Sequence, residues 1–358
     1  MDFTFTEVQE DLRGLARKIL QERATTERLK ELEAGTERVD RDLWAELATT
    51  NLLGIALPED VGGSGYGLME LGIVLNEVGR QVAPVPMVAM AIAAVPIATF
   101  GSPEQRSRLL APVVAGERFI TAALEEPAGA NPLQPSTTAT RDGDGWLLTG
   151  NKIAVPWGQL ADDIVVSADN GLFVVTPDQP GVTVEPATGT TTEPQARLLL
   201  DSVRVEDDNA IFHPSAMRFA YLHGVAATCA TAVGVFEKAI EITATYITER
   251  HQFDRPIATF QGATLKIADA YIDLQAITVA TWSALWQFAE NKPGYPEALA
   301  TAKFWVADGG QRVAYACQHL HGGIGVDRDY PLHRYFLWAK ELEVMFGGTT
   351  SQLLRVAV

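Results

Sequence analysis

The first 118 residues carry apolar side chains at helical spacing. Between residues 7 and 33 they recur on one helical face, and Asp40 precedes a second periodic run as a candidate N-cap. The most apolar segment, residues 82–100, contains three prolines, so the pattern favours a buried helix with a proline-rich lead-in over a membrane span. Further helices are predicted at residues 40–49, 69–80 and 104–115.

Near residue 119 the pattern changes to short β-branched or alternating runs separated by Gly, Asp and Pro turns. Residues 141–145 read Arg-Asp-Gly-Asp-Gly, which is a strong signal for a hairpin. The predicted strands cover residues 120–125, 137–140, 145–149, 164–167, 172–176 and 182–186. This block indicates a small β-barrel or sandwich that ends near residue 205.

Helical periodicity returns after residue 214. The predicted helices cover residues 217–250, 259–290, 295–320 and 332–346, with a glycine-rich break at residues 322–325. The predicted fold class is α+β, mainly α. We expect an N-terminal helical domain (1–118), a middle β domain (119–207) and a C-terminal four-helix bundle (208–358).

Composition excludes several kinds of partner. The net charge of −17 over 358 residues argues against binding to nucleic acid or to an anionic membrane, because both need a basic surface. The two cysteines, Cys229 and Cys317, lie in apolar helical patterns and provide no disulfide framework, which suits a reducing compartment. The N-terminal residues have no basic region followed by an apolar core, so we expect no signal peptide and a cytoplasmic location.

Two C-terminal motifs contain residue types that bind phosphate and cofactors. Residues 250–261 begin with Arg250, whose guanidinium can form two hydrogen bonds to phosphate oxygens. Alternatively, its positive charge only stabilises the C-terminal end of a helix that is followed by a proline turn. Residues 318–325 read Gln-His-Leu-His-Gly-Gly-Ile-Gly, and glycines allow close approach of the backbone to a ligand. His319 and His321 have no third ligand at a suitable spacing, so no metal site is predicted.

Together with residues 342–354, both motifs resemble the closing part of the acyl-CoA dehydrogenase family. Residues 250–261 resemble Arg-x-Gln-Phe-Gly-x-Pro-Ile-x-x-Phe-Gln, with Asp254 in place of the usual Gly, and residues 318–325 resemble Gln-x-x-Gly-Gly-x-Gly. Counting back from Gly322 places His319 at the usual Gln position, one residue after Gln318. The resemblance implies that the C-terminal bundle (208–358) forms the oligomer core. It also implies contacts to the FAD of a neighbouring subunit from Arg250, Gln252, Phe253, Phe260, Gln261, Gln318, His319, Gly322 and Gly323.

The same resemblance locates the catalytic base of the family, a Glu that removes the α-proton of the acyl thioester. This chain has Gly347 at that position. A second carboxylate location known among relatives corresponds to Gly224, whose neighbours are His223 and Val225. Glu341 and Glu343 lie one turn before Gly347 and are predicted to form a solvated helix face.

Other departures affect the half-site that a subunit of the family uses for its own flavin. Glu125 replaces a Thr that binds the flavin ring, and Gly-Ser-Asp has become Ala130-Asn131-Pro132. Pro156 replaces another Thr and has neither a hydroxyl nor a backbone N–H to donate. The half-site lent to a neighbour is therefore retained in the sequence, whereas the chain's own half-site is lost.

This division resembles the base-less subunit of the α2β2 acyl-CoA dehydrogenases associated with actinobacterial degradation of CoA-activated steroid side chains. It implies α,β-dehydrogenation of an acyl-CoA, with FAD shared with a homologous base-carrying subunit and an electron-transfer flavoprotein-type acceptor. Two alternatives stay open. One is a homomeric flavoenzyme with a displaced base or different oxidation chemistry; the other is a non-enzymatic member that binds acyl-CoA or a protein partner.

Overall fold

The structure, a computed structural model, describes residues 4–127 and 131–356. Its first part is helical, as predicted. A capping box of Thr6 and Gln9 begins the first helix. The single predicted run at residues 7–33 forms two helices, because the Thr25 hydroxyl accepts from the N–H of Arg28 and caps a new one. The helices are α1 (Glu7–Arg23), α2 (Thr26–Ala34), α3 (Arg41–Thr49), α4 (Leu68–Gln81), α5 (Met87–Phe100) and α6 (Pro103–Val114).

Two predictions in this part are confirmed by local contacts. The Asp40 side chain accepts from the N–H of Leu43 at 3.1 Å, so it caps α3. Helix α5 is buried along most of its length, which explains why its sequence is apolar on every side. Its proline-rich lead-in ends at Pro86, the residue before the helix begins.

The middle part consists of two four-stranded sheets whose inner faces form one apolar core. Its strands are β1 (Ile120–Ala123), β2 (Thr138–Asp142), β3 (Gly145–Pro156), β4 (Asp163–Ala168), β5 (Gly171–Val175), β6 (Val182–Thr188), β7 (Pro194–Glu206) and β8 (Ala210–Ile211). The sheet orders are β1-β4-β5-β8 and β2-β3-β7-β6. The predicted hairpin is confirmed: Asp142 pairs with Gly145, and Gly143 has a φ of 61°.

One long strand was not among the predicted ones. Strand β7 has 13 residues and pairs with both β3 and β6, so it lies in the interior of its sheet. Strand β3 also continues beyond the predicted end at residue 149, to Pro156, through two irregularities of register. Residues at these points are not paired in simple succession, which weakens the alternation by which strands are recognised.

The C-terminal part contains helices α7 (Ala216–Glu249), α8 (Gln261–Ala289), α9 (Tyr295–His321), α10 (Leu332–Val344) and α11 (Thr349–Val356). Helix α9 packs against α8, α10 and α11. A two-stranded hairpin, β9 (His251–Gln252) with β10 (Arg255–Pro256), follows α7. The mainly helical fold with central sheets that the sequence predicts is confirmed.

Helix α7 is a core helix. By length and composition it could cross a membrane, but 94% of its most apolar window is buried inside the protein. Gly234 of α7 and Gly79 of α4 allow the two backbones to touch: a Cβ on either glycine would overlap a carbonyl oxygen of the facing helix, from Asn76 and Thr231 respectively. Cys229 and Cys317 are buried in α7 and α9, and burial raises the pKa of their thiols to about 12 and about 11.

By internal contacts the chain divides into two compact units. One comprises Met1–Arg28, Gly72–Ala83 and Thr228–Val358, and the other Leu29–Leu71 and Pro84–Ala227. The motifs at residues 250–261, 318–325 and 342–354 all belong to the first unit, whereas the middle sheets belong to the second. The three-domain division with boundaries at residues 118 and 207 stays a prediction.

Candidate functional site

The motif that begins with Arg250 forms a tight hairpin at the end of α7. The Arg250 N–H still bonds the Tyr246 carbonyl at 2.8 Å, and the Ile257 N–H bonds the Arg250 carbonyl at 2.9 Å, which closes the loop. Phe253 and Asp254 form the turn, with φ values of 53° and 64°. An Asp tolerates this left-handed conformation better than most residues, so Asp254 can replace the glycine usual in the resembling motif.

Most side chains of this hairpin that the sequence predicts to contact a cofactor are exposed. The Arg250 guanidinium is exposed and makes no hydrogen bond or ion pair within residues 4–127 and 131–356. Phe253 is 87% exposed, although an apolar ring gains most from burial. Gln252 and Gln261 are also exposed, while Phe260 carries the Arg255 guanidinium 4.0 Å above its ring. This end of α7 therefore offers a cation, a ring and two amides to a partner or ligand.

The glycine-rich motif is a second exposed surface. It forms a 3-10 turn, Gly322–Val326, directly after α9. Gly322 has φ 62° and ψ −139°, a conformation essentially restricted to glycine. A Cβ on Gly322 or on Gly323 would meet nothing within 4 Å, so the space above both residues is open. Gly323 does not have a positive φ. Neither its backbone conformation nor a neighbouring atom of this chain therefore requires a glycine at this position.

Gln318 and His319 take different positions beside this turn. The Gln318 amide lies against Gly325, where a Cβ would overlap it, so Gln318 supports the turn from below. His319 is exposed and has no partner in the described part of the chain. His319 is thus the residue of the two that can reach an external group, in agreement with its place in the motif.

The two motifs meet at their bases. Tyr246, one turn before Arg250, stacks on His321, the residue before Gly322, with ring centroids 4.3 Å apart. Sequence reasoning considered His321 only as a metal ligand and assigned no role to Tyr246 or Tyr330. Within the described ranges no group of three or more His, Cys, Asp or Glu is arranged to hold a metal ion.

Gly347, the residue that the sequence predicts to stand at the position of the catalytic base, is sterically closed. Helix α10 ends at Val344, and Phe346 and Gly347 then have φ values of 58° and 95°. A Cβ on Gly347 would lie 2.7 Å from Ser351 Oγ and 2.9 Å from Ser351 Cβ. Both the backbone conformation and the neighbouring Ser351 therefore disfavour any side chain at this position.

Polar contacts also hold the backbone at Gly347. The fully buried Lys303 ammonium donates to the carbonyls of Glu343 and Gly347 at 3.0 and 3.1 Å. Gln352, itself 1% exposed, donates to the Phe346 and Gly347 carbonyls at 2.7 and 3.2 Å. A cation at the C-terminal end of α10 is also favoured by the helix dipole. Glu343 pairs with Lys340, and its side chain is only 19% exposed, so the predicted solvated helix face is not formed at Glu343.

In the middle sheets, the positions that resemble a flavin half-site are used by the chain itself. The buried Thr121 hydroxyl donates to the Pro156 carbonyl at 2.5 Å. The Glu125 carbonyl accepts from the Ile153 N–H at 3.0 Å, and the Glu125 side chain is partly buried. Ala130, the third departure in this half-site, lies outside the described residues.

Gly224, the second position predicted for a base, has no side chain, and its neighbour His223 is poorly suited to proton removal. Gly224 is buried in α7 and His223, beside it, is 6% exposed. The His223 ring bonds the Phe219 carbonyl through Nδ1 at 3.0 Å. Burial lowers the pKa of His223 to about 4, so its imidazole is a weaker base than histidine in water.

Comparison with known proteins identifies the family. Residues 6–117 match the model of the acyl-CoA dehydrogenase N-terminal domain, and residues 215–358 match that of the C-terminal domain. The chain is 37% identical to the acyl-CoA dehydrogenase FadE27 of Mycobacterium tuberculosis, over 99% of this chain and 98% of the relative.

Two solved structures are also similar. The Tcur3481–Tcur3483 steroid ACAD, solved as a variant, has 42% identity and a TM-score of 0.93, over 98% of this chain and 97% of the solved one. The ChsE4–ChsE5 complex from Mycobacterium tuberculosis has 36% identity and a TM-score of 0.95, over 100% of this chain and 98% of the solved one. The chain belongs to the acyl-CoA dehydrogenase family.

Proposed function

We propose that this chain is the base-less subunit of a heteromeric, FAD-dependent acyl-CoA dehydrogenase and completes the FAD site of a base-carrying partner. The observation that carries the proposal is the contrast between two sets of positions. The Arg250 and His319 side chains are exposed and have no partner in the described part of the chain, Phe253 is 87% exposed beside Phe260, and the space above Gly322 is open. Gly347, in contrast, is closed by contacts within its own chain. The exposed groups are available to bind a cofactor shared with a neighbouring subunit, whereas the closed position cannot provide a catalytic base within this chain.

The residues present fit FAD, which the family binds. Arg250 offers a forked, permanently charged donor for a pyrophosphate. The open space above Gly322 and Gly323 lets backbone N–H groups approach the cofactor, and Phe253 offers an apolar ring. When bound, FAD supplies the redox chemistry by taking up the two electrons removed from the acyl chain. This chain binds and orients the cofactor, while the partner's Glu takes the α-proton.

The partner and substrate are proposed from the relatives. Both solved structures are named as pairs of different chains, which supports a homologous second subunit for this one. One of them is named a steroid ACAD, which supports an acyl-CoA with a steroid side chain as substrate. We extend the proposal to an electron-transfer flavoprotein-type acceptor and to a cytoplasmic location.

The homomeric alternative needs a base within this chain. Gly347 and Gly224 provide none, and His223 is a weak base that already bonds a backbone carbonyl. A purely non-enzymatic role would leave the unpartnered Arg250 and the open glycine turn without a use. The heteromer accounts for both sets of observations.

Replacing Arg250 tests the proposal directly. In the complex with the base-carrying chain, Arg250→Ala should release FAD about tenfold to a hundredfold faster, because a charge-assisted hydrogen bond contributes about 1.5–3 kcal/mol. Arg250→Lys should restore part of the retention, since an ammonium cannot fork onto two phosphate oxygens. Release is followed by flavin fluorescence after dilution of the complex.

The matched control is Arg255→Ala in the same hairpin. The Arg255 guanidinium already stacks on Phe260, so its loss should change FAD release much less. Equal effects of the two variants would mean that damage to the hairpin, and not loss of a phosphate contact, is being measured. Unchanged release in Arg250→Ala would show that this chain does not reach the cofactor.

Restoring the base alone should not create an active homomer. Gly347→Glu places a β-carbon at a φ of 95° and against Ser351, which costs about 1–2 kcal/mol for the backbone alone. Gly347→Ala has the same strain without the carboxylate and is the control for stability. We expect both variants to melt earlier than the parent chain. Acyl-CoA oxidation by Gly347→Glu without a partner would contradict the proposed division of roles.

A further inference from the structure

His321 lies at the junction of the two elements that face the proposed cofactor. It is the last residue of α9, only 4% exposed, and directly precedes Gly322. Its ring stacks on Tyr246 at a centroid distance of 4.3 Å and an interplanar angle of 17°. Tyr246 in turn accepts the Arg250 N–H on its carbonyl. The His321 ring therefore packs on Tyr246 at the base of the Arg250 hairpin, and His321 also directly precedes the glycine turn.

Both nitrogens of His321 are used, and their roles are fixed by their partners. Nδ1 lies 2.9 Å from the Cys317 carbonyl, which can only accept, so the hydrogen is on Nδ1. Nε2 lies 3.1 Å from the Tyr330 hydroxyl and accepts a hydrogen bond from it. Burial lowers the pKa of His321, which favours this neutral form at neutral pH.

The bond to Tyr330 closes the segment that carries the two exposed glycines. Tyr330 lies beyond the glycine turn, and its N–H bonds the Asp327 carbonyl at 3.1 Å. Its ring also meets Tyr246 edge-on at 6.1 Å. The start and end of the segment are thus tied to each other through His321, and both are packed on the last turn of α7.

We infer that His321 is a positioning residue that, through Tyr330 and Tyr246, holds the glycine turn and the Arg250 hairpin in the arrangement that grips FAD. This role rests on the proposed function. His321, Tyr330 and Tyr246 are assigned to support the two cofactor-binding elements, and not to contact FAD themselves. Its physical basis is preorganisation: a ligand held by two elements is retained longer when neither element must be ordered on binding.

Two variants that keep an aromatic ring at the substituted position test the inference. Tyr330→Phe removes only the hydroxyl, and His321→Phe keeps a ring on Tyr246 but removes both hydrogen bonds. In the complex with the base-carrying chain, we expect each variant to release FAD about threefold to tenfold faster, as expected for loss of a neutral hydrogen bond. The double variant should release FAD no faster than His321→Phe, because both changes remove the same bond.

Tyr315→Phe is the matched control, because the Tyr315 hydroxyl on the same helix bonds nothing within the described part of the chain. It should leave FAD release unchanged. The melting temperature of each complex is measured alongside, and a lower melting temperature with unchanged release would overturn the inference in favour of a merely structural role. If His321→Phe does not fold, Tyr330→Phe decides alone.

Comparison with Arg250→Ala separates the two proposals. Faster release in Arg250→Ala, with unchanged release in Tyr330→Phe and His321→Phe, would remove the positioning role and leave the proposed function intact. Unchanged release in all three variants would remove the proposed function, and the positioning role with it. Faster release in all three supports both.

Discussion

Purified without a second chain, this protein should oxidise acyl-CoA substrates more slowly than in complex with a base-carrying chain by a factor of at least about 10² to 10⁴, which is the usual contribution of a general base alone. In the proposed function, Gly347 and Gly224 take the two positions of a catalytic carboxylate, and neither residue has a side chain. The flavin should also be missing, because Pro156 has no donor and its carbonyl is already bonded by Thr121. If the proposed function is right, a single chain therefore lacks both the base and its own cofactor half-site.

The measurement compares the chain alone with the chain co-expressed with a base-carrying acyl-CoA dehydrogenase from the same genome. Flavin absorbance should be near zero for the single chain and about one FAD for every two chains in the complex, if each pair of unlike chains completes one site. A complex whose partner has Gln in place of its catalytic Glu is the control, and it should keep FAD but lose turnover. An active homo-oligomer with FAD in every chain would contradict the heteromeric assignment.

Removing Lys152 should give the largest loss of stability in the middle sheets. The Lys152 ammonium is fully buried and donates to Glu126 at 2.7 Å and to the Ser167 hydroxyl at 2.9 Å. Glu126 also accepts from the backbone and hydroxyl groups of Ser136 and Thr137. Lys152→Met leaves a buried carboxylate without its cation, which costs about 3–5 kcal/mol of the free energy of unfolding.

Glu126→Gln in the Lys152→Met background should recover part of that loss, because the uncompensated charge is gone. The exposed pair of Arg197 and Glu185, 3.5 Å apart in the same unit, is the matched control, and Arg197→Met should cost less than about 1 kcal/mol. Urea unfolding of the parent chain and each variant provides the comparison. Equal losses in Lys152→Met and Arg197→Met would show that the buried pair is not specially important.

The same pair predicts a dependence on pH. Burial alone would raise the pKa of Glu126, but the bonds from Lys152, Ser136 and Thr137 outweigh it and lower the pKa to about 2. Because the pKa of Glu126 in the folded protein is below the ordinary glutamate value of 4.5, this stabilisation is complete above pH 4.5 and is lost as the pH falls towards 2. In Lys152→Met the carboxylate has lost its cation, so acid should relieve part of the penalty instead of adding to it.

The sequence determined most of the local structure. Helical periodicity located α3 to α10 within a few residues, because apolar spacing reflects the face that a helix buries. The turn at residues 141–145 and the N-cap at Asp40 were predictable because both depend on neighbouring residues alone. The motifs at Arg250 and Gly322 were also visible, since their residues are close in sequence.

Only the tertiary structure decided how these motifs are supported. The bond from Lys303 to Gly347 and the stacking of Tyr246 on His321 join residues on separate helices, and no local pattern encodes such pairs. The sequence left the roles of Gln318 and His319 ambiguous. The two residues are adjacent at the end of a helix, so their side chains point in different directions, and only the structure shows which of them is exposed. Strand β7 needed two partner strands to define it. Interactions between neighbouring residues determine the helices and turns, whereas contacts between residues that are distant in sequence determine how the site is assembled.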